Sequence, residues 1–176
     1  MLIIIGGLPG AGKTTVAREL ARQIGAAHIR IDSIEQAIRD SEVLRQPINE
    51  AGYRVGYAVA EDNLRVGRTV IVDSVNPLAV TRDAWLAVAN RAHVSALEIE
   101  ITCSDAIEHR QRVETRVSDI AGLRPPTWQE VVSRDYESWN RERLVIDTAR
   151  GQSVDQNVRM LRGALARITT STEPTT

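Results

Sequence analysis

The sequence predicts an α/β fold with a mostly parallel, five-stranded sheet. Five short apolar segments rich in Val, Ile and Leu alternate with segments whose apolar residues recur at helical spacing. The first apolar segment runs directly into a glycine-rich turn, and two later segments end at an aspartate. With 176 residues, the chain is long enough for one domain with a substantial core.

The first part of the chain reads as strand, helix, strand. Residues 2–5 are apolar and mostly β-branched, as expected of a buried parallel strand. A helix follows, because apolar residues recur every four positions from Val16 to Ile24. The second strand is predicted at 27–31 and ends at Asp32.

Two helices precede the third strand. Ser33 and Gln36 fit the S-x-x-Q pattern of a capping box, which predicts a short helix. Pro47 breaks the chain. A longer helix is predicted at 50–66, with Gly67 as its stop.

The middle of the chain continues the alternation. The third strand, 69–72, ends at Asp73, and Pro77 precedes a helix at 81–92. In the fourth strand, 97–101, aliphatic residues alternate with glutamates, which predicts a half-buried strand.

Two more helices follow the fourth strand. One is predicted at 105–117 with Ser104 as its N-cap. After a loop containing consecutive prolines, Thr127 and Glu130 form a second capping-box pattern, and that helix is expected to run to about Trp139.

The chain closes with a fifth strand at 144–146 and a helix at 154–168. From 169 to 176 the residues are mainly Ser, Thr and Pro without periodicity, which predicts a disordered tail. The expected domain therefore spans 1–168.

Composition limits the classes of protein that fit. The net charge is -1, and charges of both signs are spread along the chain. This predicts no broad basic surface for nucleic acid, but it does not exclude a local one. A single cysteine, Cys103, excludes an internal disulfide and favours a reducing, cytoplasmic location. The N-terminus does not fit a signal peptide, and no apolar stretch approaches the ~18 residues that a membrane span needs.

The glycine-rich turn is the strongest functional signal. It comprises Gly7, Leu8, Pro9, Gly10, Ala11, Gly12, Lys13 and Thr14, followed by Thr15, and it fits the phosphate-binding P-loop pattern G-x-x-x-x-G-K-[ST]. The glycines let backbone N–H groups turn toward phosphates, which the helix start also attracts. Lys13 then reaches the β- and γ-phosphates, and the Thr14 hydroxyl can ligate Mg²⁺. The motif therefore predicts binding of a nucleoside triphosphate with magnesium.

A dinucleotide-binding turn is the rival interpretation of this stretch. It also uses glycines and an acidic residue about 20 positions later, close to Asp32. That motif, however, has no use for a Lys-Thr pair at the helix start, and its third glycine is missing here.

Asp32 and Asp73 follow predicted parallel strands, whose carboxyl ends form the ligand-binding edge of such sheets. Asp73 could hold Mg²⁺ together with Thr14, or it could only start a turn. Asp32 could accept a proton from an acceptor hydroxyl or orient that hydroxyl. The alternative is that Asp32 only flanks a helix start.

Arg112 and Arg116 lie four residues apart on a predicted helix, where they could stabilise the charge of a phosphoryl group in transfer. The same helix carries two possible (i, i+4) ion pairs, Glu108 with Arg112 and Arg110 with Glu114. Spacing alone leaves both interpretations open.

Three aromatic residues lie at helical spacing near the end of the chain, Trp128, Tyr136 and Trp139. They predict either a packed core face or a wall of an acceptor pocket. The histidines have no metal-binding spacing and are assigned no role, namely His28, His93 and His109.

The P-loop, the Asp32 and Asp73 positions and the arginines up to Arg116 resemble those of a group of small P-loop kinases. That group includes polynucleotide 5′-kinases, adenylylsulfate kinases, gluconate kinases and chloramphenicol phosphotransferases. The resemblance implies a three-layer fold with a five-stranded parallel sheet, the P-loop strand at its centre and helices on both faces. It also implies a lid at about 110–126.

The resemblance further implies roles for individual residues. Asp32 matches the acidic acceptor-side residue, which is the general base in polynucleotide kinases. Arg112 and Arg116 match the lid pair, of which Arg116 would contact the transferring phosphate. The adenine would lie between a lid arginine and residues 147–149.

These observations predict an ATP- and Mg²⁺-dependent kinase that phosphorylates a hydroxyl of a small molecule or nucleoside-like acceptor. Residues 41–54 and 122–139 match no acceptor motif, so the acceptor and the oligomeric state stay open. One alternative is a regulatory ATPase module, which needs no deep pocket beside Asp32. The other is a polynucleotide kinase with a basic channel, formed by Arg39, Arg45, Arg54 and Arg82.

Overall fold

The computed structural model describes residues 1–43, 48, 50–149 and 151–170. Its strands are β1 (Leu2–Gly6), β2 (Ala27–Arg30), β3 (Val70–Asp73), β4 (Ala96–Thr102) and β5 (Leu144–Asp147). Its helices are α1 (Lys13–Ile24), α2 (Ile31–Asp40), α3 (Ala51–Arg65), α4 (Ala79–Arg91), α5 (Ala106–Thr115), α6 (Trp128–Val132) and α7 (Val154–Thr170). All five predicted strands are therefore present.

The strands form one parallel sheet in the order β2-β3-β1-β4-β5. The chain runs from β1 to one side of the sheet and later returns to the other side, so the strand order reverses at β1. Ligands bind at the carboxyl ends of strands at such a reversal. The fold therefore predicts a ligand-binding site at the loop that follows Gly6.

Helices cover both faces of the sheet, as predicted. Ile3 and Ile5 point into a core shared with α1 and α7, whereas Leu2 and Ile4 point into a core shared with α3 and α4. All four side chains are fully buried. Because β1 is buried on both faces, the β-branched run at the N-terminus signals its central position.

The prediction that β4 is half-buried was wrong. Glu98 and Glu100 are buried rather than solvent-facing. Arg141 Nε lies 3.2 Å from Glu98 Oε2, and Arg143 Nε lies 2.6 Å from Glu100 Oε2. The segment between α6 and β5 folds over this face and supplies the cations that buried carboxylates require.

Two helix starts differ from their predicted caps. α2 begins at Ile31 directly after β2, so Ser33 and Gln36 lie inside the helix and form no capping box. At α5 the cap is Asp105 instead of Ser104, and its carboxylate accepts hydrogen bonds from two backbone N–H groups. Asp105 satisfies N–H groups that otherwise lack partners at a helix start.

The helices around the predicted lid are shorter than expected. α5 ends at Thr115, and the following residue is extended. The capping box of Thr127 and Glu130 is confirmed at α6, but this helix ends at Val132 instead of Trp139. The loop between α5 and α6, residues 116–126, is here called the lid loop.

The end of the chain departs only slightly from expectation. α7 runs through Thr170, two residues beyond the predicted end of this helix at residue 168. The rest of that tail, residues 171–176, and the predicted break at Pro47 lie outside the described residues. Within the described part, every helix is too short or too polar to cross a membrane.

Candidate active site

The P-loop joins the end of β1 to the start of α1. At Gly7 the backbone φ is +135°, and a Cβ atom there would lie 2.1 Å from the carbonyl oxygen of Ile101 on β4. Only glycine fits this position. Gly12 also has a left-handed backbone conformation, and it immediately precedes Lys13, the first residue of α1. The unpaired N–H groups of the helix start therefore face the loop.

Side chains from α5 and the β5–α7 connection brace the P-loop. His109 is buried, and its Nε2 lies 2.8 Å from the carbonyl oxygen of Pro9. The Thr148 hydroxyl lies 2.8 Å from the carbonyl oxygen of Ala11. The loop is thus held from two sides, although its sequence pattern indicates neither contact.

Lys13 is the only lysine in the sequence. Its ammonium donates a hydrogen bond to the carbonyl of Leu8 at 3.0 Å and so reaches back across the loop. Burial lowers the pKa of Lys13, while the carboxylates of Asp73 and Asp32 raise it. The positive charge of Arg116 lowers it further. Asp32, Asp73 and Arg116, which the sequence predicts as site residues, therefore all lie within electrostatic reach of this ammonium.

Asp73 is the buried last residue of β3. Burial raises its pKa, but His28, Lys13 and a hydrogen bond from the Thr14 hydroxyl together hold the pKa below its ordinary value. Asp73 Oδ2 lies 3.4 Å from His28 Nε2, and neither atom has a hydrogen-bond partner within the described ranges of the chain. The site thus contains an ionised, buried carboxylate oxygen beside the Thr14 hydroxyl.

Asp32 lies in the first turn of α2, immediately beyond the end of β2. The predicted strand was one residue too long, but the carboxylate still lies at the ligand-binding edge of the sheet. It is 42% exposed, and its Oδ2 lies 3.9 Å from Nη2 of the buried Arg30. Asp32 is accessible to a molecule in the adjoining cavity.

The two lid arginines have different surroundings. Arg112 on α5 donates hydrogen bonds to the Thr148 hydroxyl at 2.8 Å and carbonyl at 2.9 Å, and it pairs with Glu108. Arg116 lies outside α5 in extended backbone, so the predicted shared helical face was wrong. The predicted ion pair of Arg110 with Glu114 is confirmed at 2.8 Å.

Two cavities border the P-loop. A cavity of about 440 Å³ lies against the P-loop, α1, Arg112 and Thr148, and is here called the nucleotide-side cavity. A cavity of about 770 Å³ is lined by Asp32 and by the lid loop, and is here called the acceptor-side cavity. Both cavities are lined by the same three residues, namely Lys13, Thr14 and Arg116.

Several site residues were not identified from the sequence. Glu35, Tyr53 and Arg134 line the acceptor-side cavity, the first two from α2 and α3. Burial raises the pKa of Tyr53, so its hydroxyl stays a neutral hydrogen-bond donor. Tyr53 and Arg134 belong to segments 41–54 and 122–139, which match no acceptor motif. The lack of a match in these segments was the sequence signal that they form part of the wall of the cavity.

A second missed feature attaches the lid loop to the rest of the domain. Asp119 accepts hydrogen bonds from Nη1 of Arg30 at 2.9 and 3.0 Å and also pairs with Arg18 on α1. The pair with Arg18 and then that with Arg30 hold the pKa of Asp119 far below its usual range. No local pattern predicts a contact across 89 residues.

The predicted aromatic helix face is not present. Only Trp128 lies in α6, where its ring contacts that of His109 with centroids 5.3 Å apart. Trp139 lies in the following segment, with the Arg82 guanidinium 4.6 Å from its ring centroid. Among the described residues, the acceptor-side cavity is not lined by Trp128, Tyr136 or Trp139.

A family model described as an AAA domain matches residues 2–125. The chain belongs to the AAA domain family. The match covers the P-loop, Asp32, Asp73, both lid arginines and most of the lid loop, and stops before α6. A curated relative, the replication factor C large subunit of Pyrobaculum calidifontis, is 28% identical over 136 residues. The match covers 74% of this chain but 30% of that protein, so the chain spans less than a third of the relative.

Solved structures of two kinases share this fold. The APS kinase CysC of Mycobacterium tuberculosis, in complex with AMPPNP and APS, has a TM-score of 0.70 and 18% identity, covering 94% of this chain and 96% of that chain. A gluconokinase from Sinorhizobium meliloti has a TM-score of 0.65 and 21% identity, covering 96% and 93%. The predicted three-layer fold of the small P-loop kinases is confirmed.

Proposed function

We propose that this AAA-family domain is a kinase that transfers the γ-phosphoryl group of ATP to a hydroxyl of a small molecule. One observation carries the proposal: the nucleotide-side and acceptor-side cavities share Lys13, Thr14 and Arg116 in their linings. A phosphoryl group held by these three residues would have the P-loop on one side and the cavity of Asp32 on the other. Transfer requires a donor and an acceptor that approach one such point from opposite sides.

In the proposed reaction, the acceptor oxygen bonds to the γ-phosphorus, and the bond from that phosphorus to the β–γ bridging oxygen breaks. ADP leaves with the electron pair of that bond, and Asp32 accepts or orients the proton of the acceptor hydroxyl. Lys13 and Arg116 bind the oxygens on which negative charge accumulates. The protein contributes mainly positioning and charge.

The residues present fit magnesium. Asp73 Oδ2 is buried without a hydrogen bond, and the Thr14 hydroxyl lies beside that carboxylate. No cluster of three or more acidic, His or Cys ligands occurs among the described residues. This suits Mg²⁺, which usually takes one or two protein ligands, phosphate oxygens and waters. When bound, the ion neutralises phosphate charge, and Thr14 and Asp73 would hold it.

The nucleotide-side cavity supports the expected place of the adenine. Arg112 is hydrogen-bonded to Thr148 in the β5–α7 connection, so the lid arginine and the predicted 147–149 loop already form one wall. Arg112 therefore serves the nucleotide, while Arg116 serves the phosphoryl group.

The alternatives fit less well. A regulatory ATPase needs no pocket beside Asp32, yet a cavity of about 770 Å³ lies there. A polynucleotide channel would use Arg82, but Arg82 is 1% exposed and donates hydrogen bonds to backbone carbonyls. Arg54 is paired with Glu50, and Arg45 lies outside the described residues. A small-molecule acceptor is therefore favoured.

The test is transfer of labelled γ-phosphate from ATP·Mg²⁺ to pooled nucleosides, sugars, sugar acids and 5′-hydroxyl oligonucleotides. We expect a labelled product with wild-type protein and none with Lys13→Ala. Asp32→Asn should retain nucleotide affinity but lose transfer by about 10²-fold or more, because it removes a general base.

Glu114→Gln is the matched control: Glu114 forms an exposed ion pair and lines neither cavity, so this substitution should not change transfer. Transfer by Asp32→Asn at the wild-type rate would exclude Asp32 from the mechanism. ATP hydrolysis without a phosphorylated acceptor from any pool would favour the regulatory module instead.

A further inference from the structure

The acceptor-side cavity is lined by five basic and four acidic side chains. Its charged lining consists of the basic residues Lys13, Arg39, Arg116, Arg124 and Arg134 and the acidic residues Asp32, Glu35, Glu50 and Glu130. Which of these cations already has a partner decides what the cavity can bind, because a paired arginine offers fewer free donors to a ligand.

Two of the arginines are already paired within the cavity. Arg39 Nη2 lies 3.3 Å from Glu35 Oε2, and Arg124 Nη2 lies 3.3 Å from Glu130 Oε1. Within the described part of the chain, Arg134 has neither an ion pair nor a side-chain hydrogen bond, although it lines the same cavity. Its guanidinium keeps all its donors for a bound molecule.

Arg134 also differs from Lys13 and Arg116, the other two cations of this cavity without a carboxylate partner among the described residues. Lys13 and Arg116 line both cavities, and the proposed function assigns them to the phosphates of the nucleotide. Arg134 lines only the acceptor-side cavity. It is therefore a third positive charge, and it lies on the side where the acceptor would enter.

The backbone that carries Arg134 is anchored. It follows α6 after the C-cap Ser133, and its N–H group donates to the carbonyl of Val131 at 3.4 Å. Val131 is 1% exposed, and Trp128 at the start of α6 contacts the His109 ring. A packed helix thus holds Arg134 at the wall of the acceptor-side cavity.

We propose that the acceptor carries, besides the hydroxyl that is phosphorylated, a separate anionic group, and that Arg134 binds that group. A phosphate, sulfate or carboxylate matches the planar fork of donors that arginine presents. This inference rests on the proposed kinase activity, because only a kinase has an acceptor. The anion site itself can be tested without turnover. Arg134 determines acceptor specificity, whereas Arg116 acts on the transferred phosphoryl group.

The kinetic test compares acceptors that differ by one anionic group: sugar alcohols against sugar acids, and nucleosides against their 3′-monophosphates and 3′-sulfates. For wild-type protein we expect a lower KM with the anionic member of a pair. Arg134→Gln should raise that KM by about ten- to a hundredfold, the loss of one charge-assisted hydrogen-bonded pair. The KM for ATP and the KM for neutral acceptors should stay unchanged.

Arg110→Gln is the matched control, because Arg110 is an exposed arginine that lines neither of the two cavities. Arg134→Glu should reverse the preference within each pair. An equal fall in kcat with neutral and anionic acceptors would overturn the inference, since Arg134 would then act on the transferred phosphoryl group. A wild-type enzyme without preference for the anionic member would also overturn it.

A binding measurement separates failure of this inference from failure of the proposed function. With the nucleotide-side cavity filled by a non-hydrolysable ATP analogue and Mg²⁺, sulfate and citrate are titrated and the shift in Tm is recorded. We expect stabilisation of wild-type protein and of Arg110→Gln, and a shift at least several-fold smaller for Arg134→Gln. Equal shifts in Tm in all three proteins would mean that sulfate and citrate act as adventitious ions only. That result would overturn the proposed anion site at Arg134 even if a kinase activity is found.

Discussion

Lys13 can be observed individually, because no other lysine exists in the sequence. Burial lowers its pKa in the free protein, and the positive charge of Arg116 acts in the same direction. A lowered lysine pKa means that the unfolded chain binds the proton more tightly. The free energy of unfolding should therefore rise with pH between the folded pKa of Lys13 and the ordinary lysine pKa of about 10.4.

Nucleotide should reverse this shift, because phosphates favour the ammonium form. In protein labelled with ¹³C-lysine, a single side-chain NMR signal should titrate below the ordinary pKa and move to a higher pKa when ATP·Mg²⁺ binds. Nucleotide affinity should accordingly weaken as the pH rises through the free-protein value.

Arg116→Gln should raise the Lys13 pKa in the free protein, and Arg110→Gln should leave it unchanged. A lysine signal that titrates identically with and without nucleotide would show that Lys13 does not contact the phosphates.

At this scale, the sequence predicted residues that belong to a local motif and missed those that meet across the fold. Lys13 and Thr14 are predictable because the P-loop pattern needs fixed spacing within one turn. His28 was assigned no role, yet the register of β2 with β3 brings its imidazole to 3.4 Å from Asp73. Only the strand order, which sequence spacing does not encode, reveals this pair.

Among the structural elements, the lid loop has one strong attachment. Asp119 joins it to α1 through Arg18 and to β2 through Arg30. Arg30 is 6% exposed, and two of its nitrogens already lack hydrogen-bond partners in the part of the chain that the structure describes. Removal of Asp119 would leave this buried guanidinium without its hydrogen-bonded carboxylate.

Asp119→Ala should therefore release the lid loop and lower the free energy of unfolding by about 1 kcal/mol, a small value because Asp119 itself is partly solvated. Amide hydrogen exchange should speed up in residues 116–126, and nucleotide affinity should fall with the loss of lid contacts. Hydrogen exchange followed by mass spectrometry, with and without nucleotide, measures both effects.

The control for this variant is Glu114→Ala, which removes an exposed carboxylate from the preceding helix. Unchanged exchange in the lid loop of Asp119→Ala would show that other contacts hold it. Because the Asp119 pKa is depressed, its contribution to stability is present above the ordinary aspartate pKa and is lost as the pH falls below it.

The lid also shows why element boundaries were hard to predict. Helical spacing placed Arg112 and Arg116 on one face, but the helix ends between them at Thr115. Tertiary contacts override the local preference here, because Arg112 is held by Thr148 and Asp119 is drawn toward Arg30. A capping-box pattern was also an incomplete guide to helix starts: that of Thr127 is present, whereas that of Ser33 is not.

For the whole molecule, the fold was predictable because local and global signals agree. Alternating patterns indicated a parallel sheet, and the fully apolar β1 matches its central position. The acceptor-side cavity was not predictable, because α2, α3, the lid loop and the residues after α6 each contribute only part of its wall. Specificity for the acceptor therefore arises from the assembled fold rather than from one motif.

All three tyrosines of the chain should resist ionisation in the native state. Burial raises the pKa of Tyr53 and of Tyr57, and it raises the pKa of Tyr136 to about 12. The unfolded chain releases these protons near the ordinary tyrosine pKa of about 10. The contribution of the tyrosines to the free energy of unfolding is therefore fully present below pH ~10 and is lost as the pH rises toward their pKa values in the folded protein.

The expected result is an ultraviolet titration in which native protein forms almost no tyrosinate at pH values where urea-unfolded protein is already ionised. Urea denaturation in the same pH range should show a falling free energy of unfolding. Tyr136→Phe should remove the native ionisation near pH 12 and leave the other two unchanged. Native tyrosines that titrate together with those of the unfolded chain would contradict the packing of α3 against α4 and of the α6–β5 segment against β4, since only that packing withholds the hydroxyl groups from water.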